Sequence, residues 1–164
     1  MKYFDIQTIH TSAIQMVTST EIDLRMKMPA DFKEYLIELE SWIIAVRNED
    51  AISDVTDILS RYPFPMGHNY DKHRILDIFG VSDIWGIYQI RKHILDVNRT
   101  EPYTLIPFAN NGYGDYFCLS VEENKYGAVY RWNHEFPEDD EGKLLLLSDS
   151  FGTFLSKLER RRAK

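Results

Sequence analysis

The chain of 164 residues has the size of one domain, and at 44% apolar and 13% aromatic it has a globular composition. Its net charge of −7 argues against nucleic acid as the main ligand, because phosphate binding is driven by lysine and arginine. No apolar run approaches the roughly 20 residues that cross a bilayer, and Asp5 and His10 interrupt the N-terminal stretch where a secretory signal needs continuous apolar residues. One cysteine, Cys118, excludes an internal disulfide and fits a reducing, cytoplasmic setting.

In chain order, residues 1–20 admit two readings. They are rich in β-branched residues, yet Ile6, Ile9, Ala13, Met16 and Val17 also fit a helical stripe. In "EIDLRMKM", Ile22, Leu24, Met26 and Met28 alternate with charged residues, a period of two that predicts a half-buried strand over 21–28. Pro29 then opens a helix, where its missing N–H is no loss. Phe32, Tyr35, Leu36, Leu39, Trp42, Ile43 and Val46 form its apolar face. "NEDAISDVTDILSRY" predicts a shorter helix, and the prolines and glycine of "PFPMGHNYDKH" predict a loop. "RILDIFG" reads as a strand ending at Gly80. Ser82 and Asp83 are cap candidates for a helix over "IWGIYQIRKHILDV", where Gly86 suggests close packing.

From Tyr103 the chain turns β-rich. "YTLIPFA", "YFCLSV" and "AVYRW" predict three strands joined by "NNGYGD" and "EENKYG", the first a hairpin signal because Asn and Gly tolerate φ > 0. After the acidic "FPEDDEG" come "LLLL" and a last helix capped by Ser148 or Asp149. Its inner stripe is Phe151, Phe154, Leu155 and Leu158, and the arginines lie at its C-terminal end, where the helix dipole favours them. No repeat or linker divides the chain. The expected class is α+β: one domain over 1–164, with an antiparallel meander in the C-terminal half packed by helices.

Several chemistries can be weighed against these elements. A phosphate cradle needs its glycines between a strand and a helix, whereas "NNGYGD" leads into a strand. His68 and His73 in a loop, with the carboxylates of 138–141, match neither zinc nor calcium spacing, so no metal and no cofactor is implied. There is no G-x-S-x-G elbow, and Cys118 falls inside a strand rather than at a helix start. His134 beside Glu135 is an acid–base neighbour that a strand end would point to opposite sides.

Charge is the more informative feature. From Asp115 to Ser150 there are nine carboxylates against Lys125, Arg131 and Lys143. An acidic face of that kind speeds association with a basic partner by steering its approach. Tyr113 stands at the hairpin tip as an exposed aromatic, the residue type that anchors many interfaces.

The order of "LIPFANNGYGDYFCLSV", "GAVYRWNHE" and "SDSFGTFLSKL" resembles the signature of the SUKH superfamily, the domain named for Smi/Knr-type regulators of fungal cell-wall synthesis. The matching positions are Ile106, Pro107, Gly112, Gly114, Asp115, Leu119, Gly127, Val129, Tyr130, Trp132, His134, Ser150, Phe151, Phe154 and Leu155. Upstream, Met28 and Pro29 are similar to the family's Leu-Pro box, with methionine in place of leucine. The resemblance covers 103–158 well and 28–45 weakly, so the portion 28–158 is the best supported.

The resemblance implies helices against an antiparallel sheet and no enzyme activity. Bacterial members are commonly immunity proteins that bind and neutralise a cognate toxin, often a nuclease. On that reading the partner is a protein toxin with a basic surface, neither nucleic acid nor membrane is a partner, and the oligomeric state is open. The expected contact residues are Glu135, Glu138, Asp139, Asp140 and Glu141 of the acidic loop, with Tyr113 as anchor and Asp115 beside it. Trp132 is expected in the core. The alternative is a regulatory scaffold module, and a third reading is a small enzyme built on His134 and a carboxylate.

Overall fold

A computed structural model describes residues 6–47, 66–86, 105–137 and 140–160. The first element is a helix, α1 (Ile6–Leu24), which resolves the ambiguity of the N-terminal segment. Ile9, Ala13, Val17, Thr20 and Leu24 recur at three- and four-residue spacing and are buried along one seam.

The strand expected over 21–28 is not formed. The helix runs on to Leu24 and stops at Arg25, whose φ of 54° is left-handed. Arg25 N–H donates to the Ile22 carbonyl and Met26 N–H to the Glu21 carbonyl, each at 3.1 Å, the paired bonds of a Schellman stop. The period of two had a different origin. Leu24, Met26 and Met28 are buried as the chain leaves the helix in extended form, while Ile22 is 71% exposed. The Glu21 carboxylate fixes this exit by accepting from Met28 N–H at 2.8 Å and pairing with Lys33 at 2.5 Å.

Pro29 precedes α2 (Ala30–Arg47) as expected, its carbonyl accepting from Lys33 N–H at 2.8 Å. Phe32, Tyr35, Leu36 and Leu39 are buried, and Trp42 and Ile43 pack at the margin of the same cluster. The helix expected over 48–62 lies outside the described residues.

The predicted loop at 63–73 contains a strand. β1 (Met66–Tyr70) pairs antiparallel with β2 (His73–Ile78) across a two-residue turn in which Asp71 takes φ 51°. The prolines precede this strand rather than interrupt it. Residues 81–86 are helical. Their start is capped not by Ser82 or Asp83 but by the buried Glu40 of α2, whose Oε1 accepts from Val81 N–H at 2.5 Å. A Cβ placed on Gly86 would meet nothing within 4 Å, so close packing does not explain that glycine. The remainder of that predicted helix lies outside the described residues.

The three expected strands of the meander follow, β3 (Leu105–Asn110), β4 (Tyr116–Ser120) and β5 (Val129–Trp132), and the apolar "LLLL" adds a fourth, β6 (Leu144–Ser148). Pro107 lacks a ladder donor, and the register shifts beside it; the carbonyl of Phe108 there accepts from Phe79 N–H at 2.8 Å. Gly127, at φ 87°, returns the chain from β4 to β5.

The last helix, α3 (Phe151–Ser156), is shorter than expected and is capped by Ser150, whose Oγ accepts from Thr153 N–H at 3.1 Å. The chain then forms β7 (Glu159–Arg160), so Arg160 lies in a strand rather than at a helix terminus.

All strands pair antiparallel in the order β6-β5-β4-β3-β2-β1-β7. The sheet curls enough for the Tyr70 hydroxyl of β1 to donate to the Leu147 carbonyl of β6 at 2.8 Å. Phe117, Leu119 and Val129 face the helices, where Phe32, Phe108, Phe151 and Phe154 make edge-on contacts such as the 5.0 Å pair Phe32–Phe151. On the opposite face Cys118, Tyr130 and Trp132 form a smaller cluster, partly covered by Lys143, whose Nζ lies 4.4 Å from the Trp132 ring centre. The chain is thus α+β, with the helices on one face of the meander and Trp132 in the interior.

Candidate functional site

The β3–β4 turn is built by its own side chains. Asn110 Oδ1 accepts from Gly112 N–H at 3.1 Å. Asn111 Oδ1 accepts from Tyr113 N–H at 2.8 Å and Asp115 N–H at 3.1 Å. Gly112 and Gly114 supply the left-handed φ values of 82° and 106° that this path requires. The turn therefore needs no ligand to explain its asparagines and glycines.

Beneath the turn lies a charged network. Asp115 is only 6% exposed, and both its oxygens are engaged. Oδ2 accepts from Arg131 Nε at 3.0 Å and Nη2 at 2.6 Å, with Asn111 Nδ2 at 3.3 Å. Oδ1 meets the His134 ring Nδ1 at 2.6 Å and accepts from His134 N–H at 3.1 Å. Arg131 also places Nη1 2.8 Å from His73 Nδ1. Guanidinium can only donate, so that ring nitrogen is the acceptor. Three elements, β2, β5 and the turn, are thereby locked together by one carboxylate and one guanidinium.

The electrostatics follow from these contacts. Burial alone would raise the Asp115 pKa, but hydrogen bonds from His134 and Arg131 outweigh it and hold the carboxyl below its usual range. Burial and the neighbouring Arg131 and Lys72 depress the His73 pKa. Cys118 is enclosed, and burial drives its thiol far above the ordinary range, which leaves it un-ionised and unreactive.

Above the network is an exposed rim. Tyr113 is 69% exposed, with the Arg74 guanidinium 5.6 Å from its ring centre and Arg74 Nη1 donating to its hydroxyl at 3.3 Å. The His134 ring lies against Gly114, close enough that a Cβ there would sit 2.9 Å away. Glu135, Asp140 and Glu141 are exposed in the β5–β6 loop, with Phe136 half-exposed among them and packed beside Gly142. Tyr113 and the loop bearing Glu135 thus meet at one end of the sheet.

Of the contact residues expected from sequence, Tyr113, Glu135, Asp140 and Glu141 reach this rim. Glu138 and Asp139 lie outside the described residues. Asp115 lies beneath the rim, buried, with both oxygens taken internally, and it positions the tip. Arg131 and Arg74 were not singled out from sequence, and His73 only as a loop histidine weighed for metal, not for this role. The signal for Arg131 was its position between Tyr130 and Trp132, a lone cation in an otherwise apolar strand. His73 and Arg74 gave none, because their partners are remote in sequence.

Among the described residues no group of three or more His, Cys, Asp or Glu is arranged to hold a metal ion, and no helix is long and apolar enough to cross a membrane. The family model described as SMI1 / KNR4 family (SUKH-1) matches residues 14–157. That span takes in both stretches of the resemblance, from the Met28–Pro29 box through the meander to α3. No curated protein matches the chain by sequence.

Proposed function

Because the chain belongs to the SMI1/KNR4 (SUKH-1) family, we propose that it is a non-catalytic immunity protein that binds a cognate protein toxin and holds it inactive through a protein–protein interface. The observation that carries this reading is the rim: an exposed Tyr113 on a hairpin braced from below, beside a loop presenting Glu135, Asp140 and Glu141. A rigid aromatic anchor costs little ordering entropy on binding, and the flanking carboxylates attract a basic surface. A nuclease toxin has such a surface, since its groove must bind phosphates.

The reading assigns His134 no proton-transfer role. Its ring is exposed and committed to Asp115 rather than enclosed with a substrate.

The test is capture from the native host with tagged protein at low salt, followed by expression of the captured protein in susceptible cells with and without this chain. Growth arrest relieved by co-expression is the expected result. Capture of a cellular regulator that harms no cell would sink the immunity reading and favour the scaffold alternative.

A further inference from the structure

Among the described residues two strands end the sheet: β7, two charged residues paired with β1, and β6, paired with β5. A free edge offers unpaired N–H and C=O groups, which folded proteins usually blunt with charge or proline. The sequence of β6 is "LLLLS" and has neither, and Leu145 and Leu146 are 42% and 50% exposed.

The register shift between Val129 and Tyr130 leaves Leu147 without a partner on β5, and its carbonyl accepts from the Tyr70 hydroxyl instead. That bond bridges the walls of an open cleft of about 530 Å³. Tyr70, Asp71 and His73 form one wall, Leu145, Leu146 and Leu147 the other, and Lys157 contributes a cation. The volume lies in the range of ligand-holding clefts.

Charge identifies the occupant. Asp140 and Glu141 are exposed just ahead of Leu144, whereas inside the cleft Lys157 is matched by Asp71. The start of β6 is therefore the negative end of this edge, and a segment running antiparallel to β6, as β5 does, brings its C-terminal end to those carboxylates.

We propose that the β6 edge receives an extended segment of the protein partner as an added antiparallel strand, basic at its C-terminal end. This rests on the reading of the chain as a partner-binding protein and specifies how the partner is held. Main-chain bonds to β6 supply affinity, and Leu145 and Leu146, on opposite faces of the strand, each favour an apolar neighbour on their own face.

The test is residue-resolved amide exchange on the full chain with the synthetic peptide Thr-Val-Thr-Val-Thr-Val-Lys-Lys in excess. Exchange in Leu144–Ser148 is expected to slow by about tenfold or more, as for any amide gaining a ladder bond. A peptide with the same side chains, N-methylated at alternate amides, is expected to give no slowing, and the charge-reversed peptide a smaller effect. No slowing, or equal slowing by the N-methylated peptide, would overturn the proposal. Slowing without peptide that grows with protein concentration would also overturn it, in favour of pairing between copies. The readout requires no toxin, so its failure alongside successful toxin capture removes this inference alone.

Discussion

Asp115 binds the ring of His134 at 2.6 Å across nineteen positions of sequence, and that contact seats the β5–β6 loop against the β3–β4 hairpin tip. The carboxylate is an acceptor only, so Nδ1 carries the proton in this pairing. The same carboxylate holds Arg131, so Asp115 ties the β5–β6 loop, β5 and the hairpin tip to one another.

Asp115→Asn is therefore expected to destabilise the fold by about 2 kcal/mol at neutral pH, since it leaves the Arg131 guanidinium without its counter-charge. Folding depresses the Asp115 pKa, so its contribution is complete above the unfolded value of about 3.9 and is lost as pH falls through the folded value. Urea midpoints measured from pH 6 downward should keep a constant gap between wild type and variant to about pH 4 and narrow it below that.

His73 has the opposite charge type with the same direction of shift. A base whose pKa is lowered by folding takes its proton more readily when unfolded, so acidification favours the unfolded chain. Stability from this residue is complete above the unfolded value of about 6.5 and declines below it. His73→Gln retains an acceptor for Arg131 and removes the titration. The difference in melting temperature between variant and wild type should shift in the variant's favour between pH 7 and pH 5.

Arg25 occupies the left-handed position of the α1 stop at φ 54°. A non-glycine residue there carries roughly 1 kcal/mol of backbone strain. Arg25→Gly is expected to stabilise the protein by up to that amount, read as an increase in the urea midpoint at unchanged slope.

The same residue explains where the sequence misled. A helix that ends on glycine or asparagine declares its end; α1 ends on arginine, and the exit that follows buries Leu24, Met26 and Met28 alternately without joining any sheet. Period two therefore marked an extended segment and not a strand. β1 was illegible for the converse reason, since "MGHNY" lacks β-branched residues and owes its conformation to pairing with β2.

The meander was legible because its strands are apolar and its turn residues match the φ they must adopt. Within the candidate site, the exposed members Tyr113, Glu135, Asp140 and Glu141 could be named from local chemistry. The brace beneath them could not, because Arg131 meets His73 across fifty-eight positions and only the sheet order β5-β4-β3-β2 and its curl bring them together. Local chemistry points the charged Asp115 outward beside Tyr113, whereas Arg131 and His134 draw it inward.

The most direct test of the account is the association rate of the captured partner, measured against ionic strength for wild type and for a variant carrying lysine at Glu135, Asp140 and Glu141. These side chains are exposed, so the variant should fold. The account predicts association at least tenfold slower at low salt, and a rate that no longer falls as salt rises. Equal rates and equal salt dependence for the two proteins would place the partner elsewhere and contradict the rim as the binding surface.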